Sequence, residues 1–193
     1  MRAYAADTAL LVIDYQEKLV PAMAEYAEWL KCSQILIKGM IELDVPVIVT
    51  QQYTKGLGET VHEIRGIEGM PDGFDKISFS CLEDENISEA LERLSVKNVV
   101  VCGCEAHICV LQTVIDLIAE EYNVYVAADC IASRKLSDKK AALKRAEQEG
   151  AYITTGEAIL FELLGRAGSD TFKRISAMVK QSSVNCLSGR GTC

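Results

Sequence analysis

This chain has no surplus of positive charge, no apolar run long enough to cross a bilayer, and only two histidines. Each shortage closes a class of function. Lysine and arginine number 20 against 28 aspartates and glutamates, a net charge of −8. Nucleic-acid phosphates demand a basic surface, so no nucleic-acid partner is expected. A spanning helix needs about 20 consecutive apolar residues, which no segment offers, so no membrane partner is expected either. The opening stretch, MRAYAADTALLVIDYQ, is not a signal peptide: its apolar run is short, carries Asp14 and is β-branched like a strand. The expected location is therefore cytoplasmic, where thiols stay reduced. The eight cysteines then read as core residues, reactive thiols or metal ligands, not as a disulfide framework. No internal repeat is visible.

What is present points to one domain. A chain of 193 residues, 49% hydrophobic and 25% charged, is long enough to bury a full core. Short apolar runs recur at Thr8–Asp14, Val45–Thr50, Val96–Cys102, Val124–Asp129 and Ala151–Thr154, with a further short strand near Phe74–Phe79. Continuous rather than alternating apolarity suits strands covered on both faces. Helical patterns lie between them. Pro21 can open a helix running to about Glu42, and Asn86 or Ser88 can cap a helix through Leu94. Leu111, Val114, Ile115 and Ile118 share one helical face. Ser137 can cap a helix that Gly150 ends, and Thr155 can cap the next. The alternation predicts a three-layer α/β/α sandwich around a mainly parallel, doubly wound sheet, in strand order 3-2-1-4-5-6. Residues 1–180 form the expected domain. The Ser- and Gly-rich segment 181–193 reads as a loosely held tail. The glycine-rich stretch between Gln51 and Phe74 reads as a long functional or mobile loop.

The segment VVVCGCEAHICVLQT, Val99 to Thr113, gathers three cysteines and one histidine around Gly103. A metal site fits poorly: Cys102 and Cys104 are spaced C-x-C, and no second pair with zinc spacing follows. Cys102, within the strand, reads as a small core hydrophobe. A Cys–His dyad also fits poorly, because His107 and Cys109 are two apart and face differently on a helix. His62, in the long loop, has nothing to place it. The third reading is a nucleophile at a strand end. Ligands of open α/β sheets bind beyond the carboxyl ends of the strands, and a helix N-terminus lowers a thiol's pKa. Cys109 falls in or near such a first turn, and a buried, inert cysteine is the competing reading. A carboxylate could serve as its base. Asp14 ends the first strand on the same sheet edge, and Asp129, ending another strand, is the rival. Lys76 could supply a cation, although a lone lysine is usually a surface residue.

This combination resembles the isochorismatase-like cysteine hydrolase superfamily over roughly Asp7 to Lys180. The resemblance rests on Asp14 in LLVIDYQ, on Lys76 to Ser80 as K-x-x-F-S, and on Gly103 to Val110 as GCEAHICV. It implies a catalytic triad of Asp14, Lys76 and Cys109, and an oxyanion hole from the backbone N–H groups of Ala106 and Cys109. It also implies a cis peptide between Glu105 and Ala106, and places Gln16, Gln52, Tyr53 and Phe79 near a substrate pocket. The implied reaction is hydrolysis of a small amide, imide or related carbonyl compound through a thioester. Related nicotinamidases carry an Asp-x-His metal motif where this chain reads Gln52–Tyr53–Thr54, so neither a metal nor another cofactor is expected. Ala106 stands where many relatives have threonine, which leaves only the backbone donor. Relatives are usually oligomeric, so a homo-oligomer is expected. Two rivals share the scaffold: a binding protein with an unreactive Cys109, and a redox sensor in which Cys104 or Cys102 resolves an oxidised Cys109.

Overall fold

The computed structural model describes the backbone of residues 2–188 and the side chains of residues 2–180. In chain order the elements are β1 (Thr8–Ile13), α1 (Tyr26–Glu42), β2 (Val47–Gln52), α2 (Thr54–Leu57), α3 (His62–Arg65), β3 (Gly73–Lys76), α4 (Glu85–Arg93), β4 (Asn98–Cys104), α5 (Leu111–Ala119), β5 (Asn123–Ala132), α6 (Leu136–Glu149), β6 (Tyr152–Thr154), α7 (Gly156–Leu164) and α8 (Asp170–Ser188). The strands form one six-stranded sheet in the order β3-β2-β1-β4-β5-β6, and every pairing is parallel. The expected three-layer α/β fold and its strand order are therefore present.

All six residues of β1 are buried, which explains their unbroken apolarity. Strand alternation divides them between two cores. Leu10 and Val12 pack with Leu36, Ile37 and Met40 of α1 and with Leu160 of α7. Ala9, Leu11 and Ile13 pack with Ile87 of α4, Leu117 of α5 and Ala146 of α6. Each large aliphatic side chain removed from water contributes roughly 1.5–3 kcal/mol.

Several local expectations need correction. Pro21 lies in a separate 3-10 turn, Val20–Ala22, and α1 starts only after Glu25, whose positive φ breaks the chain. Asp84, not Asn86 or Ser88, caps α4: its carboxylate accepts from the Asn86 and Ile87 N–H groups. Ser137 lies inside α6, though Gly150 ends that helix at φ 113° as expected. Thr155 caps α7 through the Ala158 N–H. β4 runs two residues beyond Cys102, because Gly103 and Cys104 stay paired to Ile131 and Ala132. The long loop is not structureless: it holds α2 and α3. The tail expected over 181–193 falls on residues whose side chains, and past 188 whose backbone, lie outside those described.

The chain runs outward from β1 to β3, then returns to place β4 on the other side of β1. The strand order reverses between β1 and β4, and in open α/β sheets ligands bind at the carboxyl ends of the strands at such a point. Ile13 lies beside both Thr50 and Gly103 in the sheet register. The next residue, Asp14, and the residue after β4, Glu105, both take left-handed conformations, φ 58° and 54°. Two sharp turns thus open side by side at the switch point.

Candidate active site

Asp14 is fully buried, and both of its carboxylate oxygens are occupied. Oδ1 accepts from the Thr50 hydroxyl at 2.9 Å, and Oδ2 accepts from the Lys76 ammonium at 3.0 Å. The left-handed turn, which aspartate tolerates better than most residues, lets the side chain fold back over the strand end. Its backbone remains in the sheet, with the Asp14 N–H bonded to Thr50 O at 3.1 Å.

Lys76 ends β3, two strands away from β1, and its side chain is sealed from solvent. The ammonium donates to Asp14 Oδ2, to Gln52 Oε1 at 2.7 Å, and to the carbonyls of Ser78 and Phe79 at 3.2 Å each. Burial is the largest influence and pulls its pKa down, yet Asp14 and the neighbouring thiols raise it above the ordinary lysine value on balance. The pair is held as a buried ion pair.

Cys109 lies in a wide π turn, Ala106–Val110, that follows Glu105 and leads into α5. It is 4% exposed, whereas Cys81, Cys102, Cys104 and Cys130 are 0% exposed. All five are free thiols. Burial drives the Cys109 pKa far above the ordinary thiol range; the Asp14 carboxylate pushes it further, while Lys76 opposes them. The first two influences favour the protonated thiol over the thiolate that a helix N-terminus suggests. Burial and the carboxylate outweigh the partial charges of the turn.

The structure pairs Asp14 with Lys76 and sets the Cys109 thiol within reach of both charges. It does not bring in Asp129, whose carboxylate accepts from the Gly156 N–H at 2.7 Å and ties β5 to the start of α7. His62 sits exposed on α3. His107 bonds with Ser133 Oγ at 3.0 Å. The expected cis peptide is not found: no described peptide bond is cis. The left-handed Glu105 makes the sharp turn with a trans bond, a conformation less costly than a non-proline cis bond.

Of the four expected pocket residues, Tyr53 and Phe79 are half exposed, at 52% and 51%. Gln16 and Gln52 are buried, and their amides bond to the protein itself. Three further groups, Thr50, Cys81 and Thr113, were not foreseen, and Glu105 enters in a role other than the expected cis peptide. Thr50 orients Asp14. Cys81 shares the Cys109 core, its thiol 3.8 Å from Thr50 Oγ1. Thr113 donates to Cys109 O at 2.7 Å and accepts from the Cys81 N–H at 3.0 Å. Glu105 accepts from Arg134 at 2.6 Å, while its buried Oε2 has no hydrogen-bond partner. Only Thr50 had a visible signal, a hydroxyl at the end of an apolar strand.

Comparison with known proteins agrees with this architecture. The isochorismatase domain family matches residues 8–158. Isochorismatase domain-containing protein 1 of Salmo salar is 36% identical over 178 residues, which cover 92% of this chain and 62% of the salmon protein. The chain spans the same 62% of the corresponding Danio rerio protein. A solved structure described as MAR1 ribonuclease from Caenorhabditis elegans is 37% identical, with a TM-score of 0.87 and 93% of each chain covered. The YcaC gene product of Escherichia coli, described as an octameric hydrolase of unknown specificity, is 19% identical with a TM-score of 0.84, covering 94% of this chain and 89% of that one. That last likeness is one of fold alone. The family match takes in all six strands and the segments that carry Asp14, Lys76 and Cys109, and on it the chain belongs to the isochorismatase domain family.

Proposed function

We propose that this protein is a cysteine hydrolase acting on a small amide, imide or related carbonyl compound. The observation that carries the reading is the buried Asp14 carboxylate, anchored by Thr50 and Lys76 at the switch point of the sheet, where its charge and that of Lys76 act on the buried Cys109 thiol. A thiol held protonated needs its base at hand, so proton transfer and attack proceed together. Asp14 takes the thiol proton as sulfur bonds to the substrate carbonyl carbon. The developing oxyanion is received by the backbone N–H groups of Ala106 and Cys109, each donor contributing about 3 kcal/mol. The tetrahedral adduct collapses, the C–N bond breaks, and the leaving nitrogen takes the proton from Asp14. Water then attacks the thioester and gives a proton to Asp14. The C–S bond breaks, and sulfur recovers that proton. Lys76 stays charged throughout and keeps Asp14 placed. The cycle calls for no metal or cofactor. Tyr53 and Phe79, exposed near the strand ends, contact the body of the substrate.

The test is turnover across a panel of small amides and imides, with intact-mass detection of an acylated protein. Cys109→Ala is expected to abolish both turnover and the mass adduct. Unimpaired turnover by Cys109→Ala on a confirmed substrate would refute the covalent route.

The description of the nematode structure as a ribonuclease motivates a second reading, cleavage of RNA. The net charge of −8 weighs against it. Incubation with single-stranded RNA settles the matter: cleavage that persists in wild type and vanishes in Cys109→Ala would displace the amide reading. The assembly we propose is a homo-oligomer in the cytoplasm, checked by sedimentation of the purified chain and by imaging of the tagged protein in cells.

A further inference from the structure

The carboxylate, the ammonium and two glutamines form a closed circuit. Gln16 follows Asp14 by two residues, and its backbone N–H bonds to Asp14 O at 2.8 Å. Its side-chain amide then grips both backbone groups of Gln52. Oε1 accepts the Gln52 N–H at 2.7 Å, and Nε2 donates to the Gln52 carbonyl at 2.9 Å and to Gly58 O at 2.7 Å. The Gln52 side chain closes the ring. Its Oε1 takes the Lys76 ammonium at 2.7 Å, and its Nε2 donates to Ile77 O at 2.7 Å. Lys76 returns to Asp14 at 3.0 Å.

The chemistry of this ring selects an amide. Four acceptors surround the three ammonium protons of Lys76, and Gln52 Oε1 is the nearest of them. Position 52 must accept from an ammonium and donate to a carbonyl at once, which an amide does and a carboxylate does not. A glutamate there would leave Ile77 O without its donor and give Lys76 a second counter-charge. An apolar residue would leave the ammonium to Asp14 and to the two longer contacts of the segment after β3, where Ile77 is 79% exposed.

We propose that Gln52, gripped by Gln16, is the positioning residue that fixes the Lys76 ammonium against Asp14 while adding no charge of its own. Neither glutamine is then a substrate contact. The inference rests on the reading of Cys109 as the nucleophile. The groups that face the Cys109 thiol electrostatically are Asp14, Lys76, Cys81 and Cys104.

The test reads Cys109 itself and needs no known substrate. Iodoacetamide alkylation is followed by peptide mass spectrometry against pH in wild type, Gln52→Glu, Gln52→Met, Gln16→Met and Asp14→Asn, with thermal melts of each. Gln52→Glu is expected to slow Cys109 alkylation at about pH 9 by roughly tenfold, because a second carboxylate offsets the charge of Lys76. Gln52→Met and Gln16→Met are expected to slow it about threefold by loosening the ammonium. If the Met variants match wild type, Gln52 does not position Lys76 and the proposal is overturned, whether or not Gln52→Glu moves the profile. Should Gln52→Met fail to fold, Gln16→Met decides. The Asp14→Asn arm reports separately on the underlying reading. A profile unmoved in that variant alone overturns the Asp14–Cys109 coupling, whatever the glutamine variants do.

Discussion

A carboxylate sealed from water persists as an anion only when its lone pairs are taken, and Asp14 meets that condition through Thr50 and Lys76. Removing one partner therefore costs more than the pair itself contributes. Lys76→Met is expected to lose about 3–5 kcal/mol of stability, measured by urea unfolding, because it strands a buried anion. A loss below about 1 kcal/mol, typical of exposed pairs, would mean that the site is wetter than its burial indicates. The same two residues act on Cys109 in opposite senses, since Asp14 holds the thiol protonated and Lys76 favours its ionisation. Asp14→Asn should therefore ionise Cys109 at lower pH than wild type while eliminating turnover. Ultraviolet thiolate absorbance against pH reads the first effect. A Cys109 that ionises no more readily in Asp14→Asn than in wild type would contradict that coupling.

At the scale of elements, function depends on two strands ending side by side. Gly103 keeps them close: a Cβ there would sit 2.5 Å from Ile13 O and 2.7 Å from Ile13 Cβ. Ile13 precedes Asp14, and Gly103 lies six residues before Cys109, so one methyl would push the two halves of the site apart. Gly103→Ala is expected to cost about 1–3 kcal/mol from the clash and to reduce turnover even where the protein still folds. Thermal melts together with assays on folded protein check both parts. Wild-type activity in this variant would show that the strand ends tolerate separation.

For the whole molecule, the sealed thiols tie stability to pH. Burial raises the Cys81 pKa to about 11 and that of Cys102 to about 12, and it raises Cys104, Cys109 and Cys130 as well. In the unfolded chain these thiols release their protons near pH 8.5 or 9. The folded state keeps them, so above that range the unfolded state binds fewer protons and gains on the folded one. The stabilisation is complete below the ordinary thiol pKa and is lost as pH rises through the folded values. Cys81 alone accounts for on the order of 3 kcal/mol by about pH 11. Circular dichroism melts should show Tm falling steeply from about pH 9 upward. A Tm that stays flat to about pH 10.5 would contradict sealed thiols.

Much of this was legible along the chain. Apolar, β-branched runs marked five strands to within a few residues, most plainly β1 and β4, because a strand buried on both faces must be apolar throughout. Once the strands were placed, Asp14 and the turn before Cys109 fell on one sheet edge, and Thr155 and Gly150 marked helix ends by local chemistry. Capping at Asp84 was missed because Asn86 and Ser88 have equal capping chemistry, and only backbone geometry separates them. What folding alone decided involves distance through space. Lys76 meets Asp14 from 62 residues away, and Thr50 and the Gln16–Gln52 clamp reach the same spot from a third strand. The protonation of Cys109 belongs here too. Local sequence shows a helix beginning nearby, which favours a thiolate, but burial and a carboxylate from another strand reverse the outcome. Periodicity and turn chemistry are properties of neighbours in sequence, so the chain by itself determined the sheet and its edge. Charge, burial and hydrogen bonding depend on neighbours in space, so only the packed fold decided how that edge is wired.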